Sequence, residues 1–409
     1  MKVASQHNRI TWRTIWPDAR CNFINIIDQT KLPFAFEIAH IDSLDKMVTA
    51  IKTMQVRGAP LIGVAAAYGM ALAMLEDDSD DNLHYAADIL INSRPTAVNL
   101  KWAVNRMVAC LQGMQNLRNL AAWREAAHIA EEDVAQNKAI GQHGLALIQA
   151  LVEARASESA YVTKSHFLPQ GEGWEESKFM RGGEIGCGSE SMREVKHGGE
   201  NAIFNIMTHC NAGWLATVDF GTALAPIYAA FDAGLNIHVW VSETRPRNQG
   251  AFLTAWELAQ HGVPHTVITD NACGHLMQQG LVDMVLVGAD RVTAQGDVCN
   301  KIGTYLKALA AFDNNVSNHR IPFYAAVPSP TIDWNIDDDQ AIDIEHRHGD
   351  EVATIAGLAA NGSVQSVRVI PLESSAANPA FDVTPARLVT GIITEYGVYL
   401  PEQIVSIVK

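Results

Sequence analysis

The sequence predicts an α/β protein, a mainly helical amino-terminal domain followed by a Rossmann-like carboxy-terminal domain built on a doubly wound parallel sheet. Three observations carry this. Apolar residues recur at helical spacing through roughly the first 150 of the 409 residues. From about residue 201, five short β-branched-rich runs alternate with helix-like stretches. Between them lies GEGWEESKFMRGGEIGCGSES, rich in Gly, Ser and Glu and without periodicity. The expected divisions are residues 1–154 for the helical domain, 155–200 for an inserted loop or linker, and 201–409 for the Rossmann-like sheet domain.

Taken in order, Ile24–Ile27 and Phe34–Ile38 have the composition of short strands. Helices follow at Leu44–Met54 and Ala59–Leu75. Pro60 sits near the start of the second, where its missing N–H would be unbonded anyway. The small residues of APLIGVAAAYGMALA read as close helix packing, in a run too short to span a bilayer. Thr96–Leu111 and Trp123–Leu151 continue the helical pattern. The five later runs are Ile203–Thr208, Ile237–Val241, His265–Thr269, Met284–Val287 and Phe323–Val327. Serial βα units make a parallel sheet, and such sheets bind ligands outside the carboxyl ends of their strands. The residues expected there are Cys210 and Asn211, Glu243 and Arg245, Asp270 and Asn271, Asp290 and Arg291, and Pro328 and Ser329.

Composition narrows the function. With 48% apolar and 18% charged residues the chain is an ordinary globular protein. A net charge of −15 argues against a nucleic-acid partner, which needs a basic footprint, but a few local cations still suffice for a small anion. The six cysteines are widely spaced and form no Cys-x-x-Cys pair, as expected of reduced cytoplasmic thiols. The amino terminus has no apolar signal core, so a soluble protein without membrane attachment is expected. Neither a P-loop nor a dinucleotide fingerprint occurs. His346 and His348 form a His-x-His pair with no third ligand beside it, which reads as a solvated loop rather than a metal site.

Longer motifs carry a specific resemblance. RGAPLIGVAAAYG from Arg57, RPTAVNLKWAV from Arg94, THCNAG around Cys210, ETRPRNQGAFLTAWEL from Glu243, VGADRVTAQGDVCNKIGTY from Val287 and NPAFDVTPARLVTGIITEYGV from Asn378 resemble the methylthioribose-1-phosphate isomerase family. That family is grouped with regulatory subunits of the exchange factor of translation initiation and with ribose-1,5-bisphosphate isomerases. The resemblance implies a cytoplasmic homodimer of the methionine salvage pathway, with a sugar phosphate as substrate and neither metal nor organic cofactor.

It also implies site residues, each of which has a blander reading. A free cysteine is usually a small buried hydrophobe. Cys210, however, ends a predicted strand and opens a predicted helix, where a thiolate is favoured, and the resemblance makes it catalytic. Asp290 could cap a helix or pair with Arg291; the resemblance makes it the proton donor, a role suited to a carboxyl group in a poorly solvated cleft. Arginines are usually surface charges. Here the resemblance assigns substrate contacts to Arg57, Gly58, Ala59, Arg94, Gln249, Asn300 and Lys301.

Two features depart from the family pattern. The segment over 155–200 is extra, and reads as a surface loop or as a lid over the site. Trp214 follows CNAG where small residues are usual, and its indole is expected to shape the pocket for the sugar's C5 substituent. The alternatives are a 5-deoxyribose 1-phosphate isomerase, a ribose-1,5-bisphosphate isomerase needing a second cationic patch, and a non-catalytic regulatory homologue.

Overall fold

The computed structural model describes residues 2–4, 9–114, 116–162, 202–314, 321–336 and 342–408. A hairpin of β1 (Lys2–Ala4) and β2 (Arg9–Thr11) precedes an antiparallel sheet of β3 (Ile15–Pro17), β4 (Ile24–Ile27) and β5 (Ile38–Ile41). The second expected strand thus begins at Ile38 instead of ending there. Ile38 pairs with Ile27 and Ile41 with Ile24, so this register matches the whole buried length of β4. Phe36 turns instead to aromatic neighbours Trp12 and Trp256.

The helices are α1 (Leu44–Lys52), α2 (Ala59–Glu76), α3 (Asp80–Ser93), α4 (Val98–Leu111) and α5 (Arg118–Val162). Helix α3 has no counterpart in the sequence reading. Ser79 caps it by accepting the Asn82 N–H, and Asp80 and Asp81 complement the dipole of its first turn. Helix α2 is apolar on every side, a pattern found in core or membrane helices. It is long and apolar enough to cross a bilayer by length and composition, yet α1, α3, α4 and α5 surround it and 83% of it is buried.

Helix α5 joins the two halves. Its 45 residues extend about 68 Å at 1.5 Å per residue. Trp123, Ala126 and Ile129 pack in the helical half, while Ile140 and Ile148 pack under the sheet of the second half. The helix continues to Val162, so residues 155–162 are helical where a loop was expected. The rest of the expected insert, and with it the lid reading, lies outside the described residues.

The second half follows in chain order as β6 (Phe204–Thr208), α6 (Leu224–Asp232), β7 (Ile237–Ser242), α7 (Ala255–His261), β8 (His265–Ile268), α8 (Cys273–Gln278) and β9 (Met284–Val287). Then come β10 (Arg291–Thr293), β11 (Val298–Lys301), α9 (Thr304–Asn314), β12 (Phe323–Ala326) and β13 (Ile332–Asp333). Last are α10 (Asp350–Ala353), the hairpin β14 (Thr354–Leu358) and β15 (Val364–Arg368), then β16 (Phe381–Thr384), β17 (Gly391–Thr394) and β18 (Gly397–Tyr399).

The main sheet has the order β18-β17-β12-β9-β6-β7-β8. All five expected runs are parallel strands in it, β17 adds a sixth, and β18 closes the edge antiparallel. From β6 the chain winds outward through β7 and β8, then returns to β9 on the other side of β6. The topological switch point therefore lies between β6 and β9, where an open α/β sheet forms its ligand crevice. A smaller sheet, β13-β10-β11-β16, is built from the chain leaving β9.

Candidate active site

The turns after β6 and β9 meet across the switch point. A Cβ on Gly288 would stand 2.6 Å from the Ala212 Cβ, so the absent side chain lets the Asp290 turn pack directly on the Cys210 turn. Gly58, at φ +97°, approaches from the helical half, and its own Cβ would lie 2.6 Å from the Ala216 Cα. Three segments remote in sequence thereby enclose one cavity. It is lined by all nine expected residues, Cys210, Asp290, Arg57, Gly58, Ala59, Arg94, Gln249, Asn300 and Lys301. A larger, more open cleft between α4 and the β12–β13 connection has Trp102, Arg106 and Trp334 on its walls and includes none of the nine.

Cys210 is buried and held in the left-handed region at φ +64°. Its N–H donates to Thr244 Oγ1 at 2.8 Å, and its carbonyl accepts from Thr254 Oγ1 at 2.7 Å. The thiol faces Gln249 Oε1 at 3.6 Å. The expectation that Cys210 opens an α-helix is not met. A single 3₁₀ turn at Trp214–Ala216 follows, and α6 begins only at Leu224, so Cys210 does not sit at the start of α6. Beside it His209 is fully buried, its pKa pushed down to about 3 chiefly by burial, and its Nε2 lies 2.8 Å from the Ile302 carbonyl oxygen. Asp290 is anchored by its own N–H, which donates to the Cys299 carbonyl at 2.9 Å, and its half-buried carboxylate lies in the field of Arg94, Lys301 and Arg347.

Four cationic side chains line the cavity. Arg57 donates from Nη1 and Nη2 to the Asn211 carbonyl at 2.8 Å and from Nη2 to Asn211 Oδ1 at 2.7 Å. Gly58 and Ala59 form the start of α2, whose first N–H groups and dipole favour an anion. Arg94, at the end of α3, pairs with Glu345 at 3.2 Å. Lys301 is 3% exposed, lies 4.3 Å from the centre of the Phe381 ring, and donates to the Ala380 carbonyl at 2.9 Å. Burial and then Arg347 push its pKa down to about 8, against the opposing pull of Cys210, Asp290 and Glu345. Asn300 donates to Thr304 Oγ1 at 3.1 Å.

Arg347 is the cation that sequence reasoning missed. It sits between the two histidines considered for metal binding, with Glu345 Oε1 3.0 Å from its Nε. His348 is exposed beside Asp350, and His346 makes a backbone bridge with Pro379. Among the described residues no three His, Cys, Asp or Glu side chains group as a metal site. Trp214 also departs from expectation. It is fully buried against Trp256, Ile27 and Leu253 and does not line the cavity. Several other strand-end residues serve the scaffold. Arg245 donates to the Val352 and Thr354 carbonyls, Arg291 pairs with Asp333, and Ser329 donates to Glu395.

A family model described as the Initiation factor 2 subunit family matches residues 55–162 and 189–401. The chain is 54% identical over 388 residues to a methylthioribose-1-phosphate isomerase of Rhodospirillum rubrum, a match covering 94% of this chain and 88% of that one. Among solved structures, 5-methylthioribose 1-phosphate isomerase from Pyrococcus horikoshii OT3 superposes with a TM-score of 0.71 at 34% identity, covering 97% of this chain and 95% of its own. A translation initiation factor eIF-2B delta subunit from A. fulgidus superposes with a TM-score of 0.69 at 35% identity, covering 96% and 97%.

Proposed function

The chain belongs to the Initiation factor 2 subunit family, and from that premise we infer that it converts 5-methylthioribose 1-phosphate to 5-methylthioribulose 1-phosphate, an isomerisation of methionine salvage. Fold does not choose between an enzyme and a translation factor, because solved structures of both descriptions superpose about equally well. What favours the enzyme is a thiol and a carboxyl group facing one cavity with four cations around it, together with 54% identity to a relative named as this isomerase.

The chemistry follows from the substrate. Its anomeric oxygen carries phosphate, so the ring cannot open by ordinary mutarotation. In the proposed course Asp290 gives a proton to the ring oxygen, the bond from C1 to that oxygen breaks, hydrogen moves from C2 to C1, and the C2 hydroxyl returns a proton to Asp290. The carbonyl then stands at C2, and atoms and electrons balance. Cys210 stabilises charge developing at C1–C2, or serves as base if hydrogen moves as a proton through an enediol. Deuterium from solvent at C1 identifies the enediol route, and its absence the hydride route. Arg57, Arg94 and Lys301 hold the phosphate, with Gly58 and Ala59 at the start of α2, while Gln249 and Asn300 contact the sugar. Fixing the phosphate orients the reacting carbons, which supplies much of the rate.

We further assign the chain up to the end of α5 at Val162 to a helical domain and 201–409 to the catalytic domain, in a cytoplasmic homodimer. Light scattering on the purified protein tests the dimer. The identity of the C5 group is tested by kinetics with 1-phosphates of methylthioribose, 5-deoxyribose and ribose. The methylthio sugar should give the highest kcat/KM, and a preference for 5-deoxyribose 1-phosphate would reassign the substrate.

A further inference from the structure

We propose that Glu257, on α7 and outside every assigned role, is the positioning residue for the phosphate grip. It acts by fixing the Asn211 amide and, through it, the Arg57 guanidinium. The inference rests on the reading above that Arg57 binds the phosphate.

Glu257 is fully buried, and among the described residues no cation pairs with it. Burial raises its pKa, and four hydrogen bonds oppose that rise. A carboxylate accepts at about four lone-pair sites, and all four are used. Oε1 accepts from Asn211 Nδ2 at 2.8 Å and from the Leu215 N–H at 3.0 Å. Oε2 accepts from the Trp214 N–H at 2.7 Å and from the Tyr228 hydroxyl at 2.7 Å. The turn wraps the carboxylate so closely that a Cβ on Gly213 would lie 2.2 Å from Oε2.

The consequence falls on Asn211. Its amide nitrogen donates to Glu257 and, at 3.1 Å, to Thr254 Oγ1, which leaves Oδ1 facing the Arg57 guanidinium. A flipped amide would turn its own N–H groups toward that guanidinium. Held as it is, Asn211 takes both Nη2 hydrogens and one from Nη1 and leaves N–H donors on Nη1 and Nε; the Nε has no hydrogen-bond partner among the described residues. A glutamine at 257 keeps the volume but offers one acceptor oxygen, and sets its amide N–H groups against donors that now point at it.

Competitive inhibition by inorganic phosphate, with kcat and KM, tests the relay in the full-length protein. Glu257→Gln and Asn211→Ala should each weaken phosphate binding about ten- to a hundredfold, the scale of one lost charge-assisted hydrogen bond. KM should rise in step while kcat changes much less. The double variant should be no weaker than the worse single one, because both cut one chain of contacts. Should Glu257→Gln not fold, Asn211→Ala and Tyr228→Phe carry the test. Arg57→Ala separates the two levels. If it abolishes phosphate inhibition while folded Glu257→Gln, or failing that Asn211→Ala, leaves inhibition unchanged, the positioning role is overturned and the reading beneath it stands. If Arg57→Ala itself leaves phosphate inhibition unchanged, that reading falls and the relay with it.

Discussion

Replacing Gly288 with alanine perturbs the contact on which the site is built. Gly288 is not among the glycines at positive φ, so the change acts through space and not through backbone strain. The added Cβ would stand 2.6 Å from the Ala212 Cβ and 3.2 Å from Thr222 Oγ1. Carbon atoms settle at about 3.5–4.0 Å, so the Cys210 turn must retreat by roughly 1 Å. Overpacking of this kind destabilises by about 1–3 kcal/mol, and a displacement near 1 Å between reacting groups lowers the rate by about a hundredfold. Urea unfolding with kcat measurement on the same preparation checks both numbers. The expected variant folds, loses a small part of its stability and loses most of its turnover. Normal kcat with normal stability would show that the two turns do not need their close approach.

Further predictions concern single groups. Cys210→Ser and Asp290→Asn should each lower kcat by at least about a hundredfold while phosphate inhibition persists; near-normal turnover in either removes that residue from the mechanism. Lys301, with its pKa pushed down to about 8 by burial, loses its charge as pH rises through that value. An anion binds the protonated form, so KM should rise above about pH 8, and bound phosphate should hold the proton to higher pH. A KM flat from pH 7 to 9.5 (a range of roughly one and a half units beyond the shifted value) would contradict a phosphate role for Lys301.

The parallel sheet was legible because its buried strands form short apolar runs with helices between them, and the switch point then located the crevice. Strand β17 was hidden for a local reason. GIIT follows the 3₁₀ turn Ala386–Leu388 and not a helix, so no βα alternation announces it. Helix α3 carried its signal in Ser79-Asp80-Asp81, a cap and two acidic residues, and in Leu83, Ala86, Ala87 and Leu90 at helical spacing, a stripe that is half alanine and so easily passed over. Cys210 and Asp290 could be read from motifs at strand ends. Arg347 could not, since it lies in a polar stretch whose return to the cavity depends on tertiary contacts with Asn378 and Phe381. Glu257 stands within ETRPRNQGAFLTAWEL, but nothing there marked its role, because one carboxylate in a helical segment looks like any solvated charge until the turn at 211–215 wraps around it.

The most direct measurement incubates the purified protein with 5-methylthioribose 1-phosphate and follows the sugar by NMR, with Asp290→Asn alongside. The account predicts that the anomeric C1 signal is replaced by that of an open-chain 2-ketose, and that the variant, still able to bind phosphate, leaves the aldose unchanged on the same timescale. An aldose that persists with the folded native protein, or a variant that isomerises it equally fast, would contradict the account.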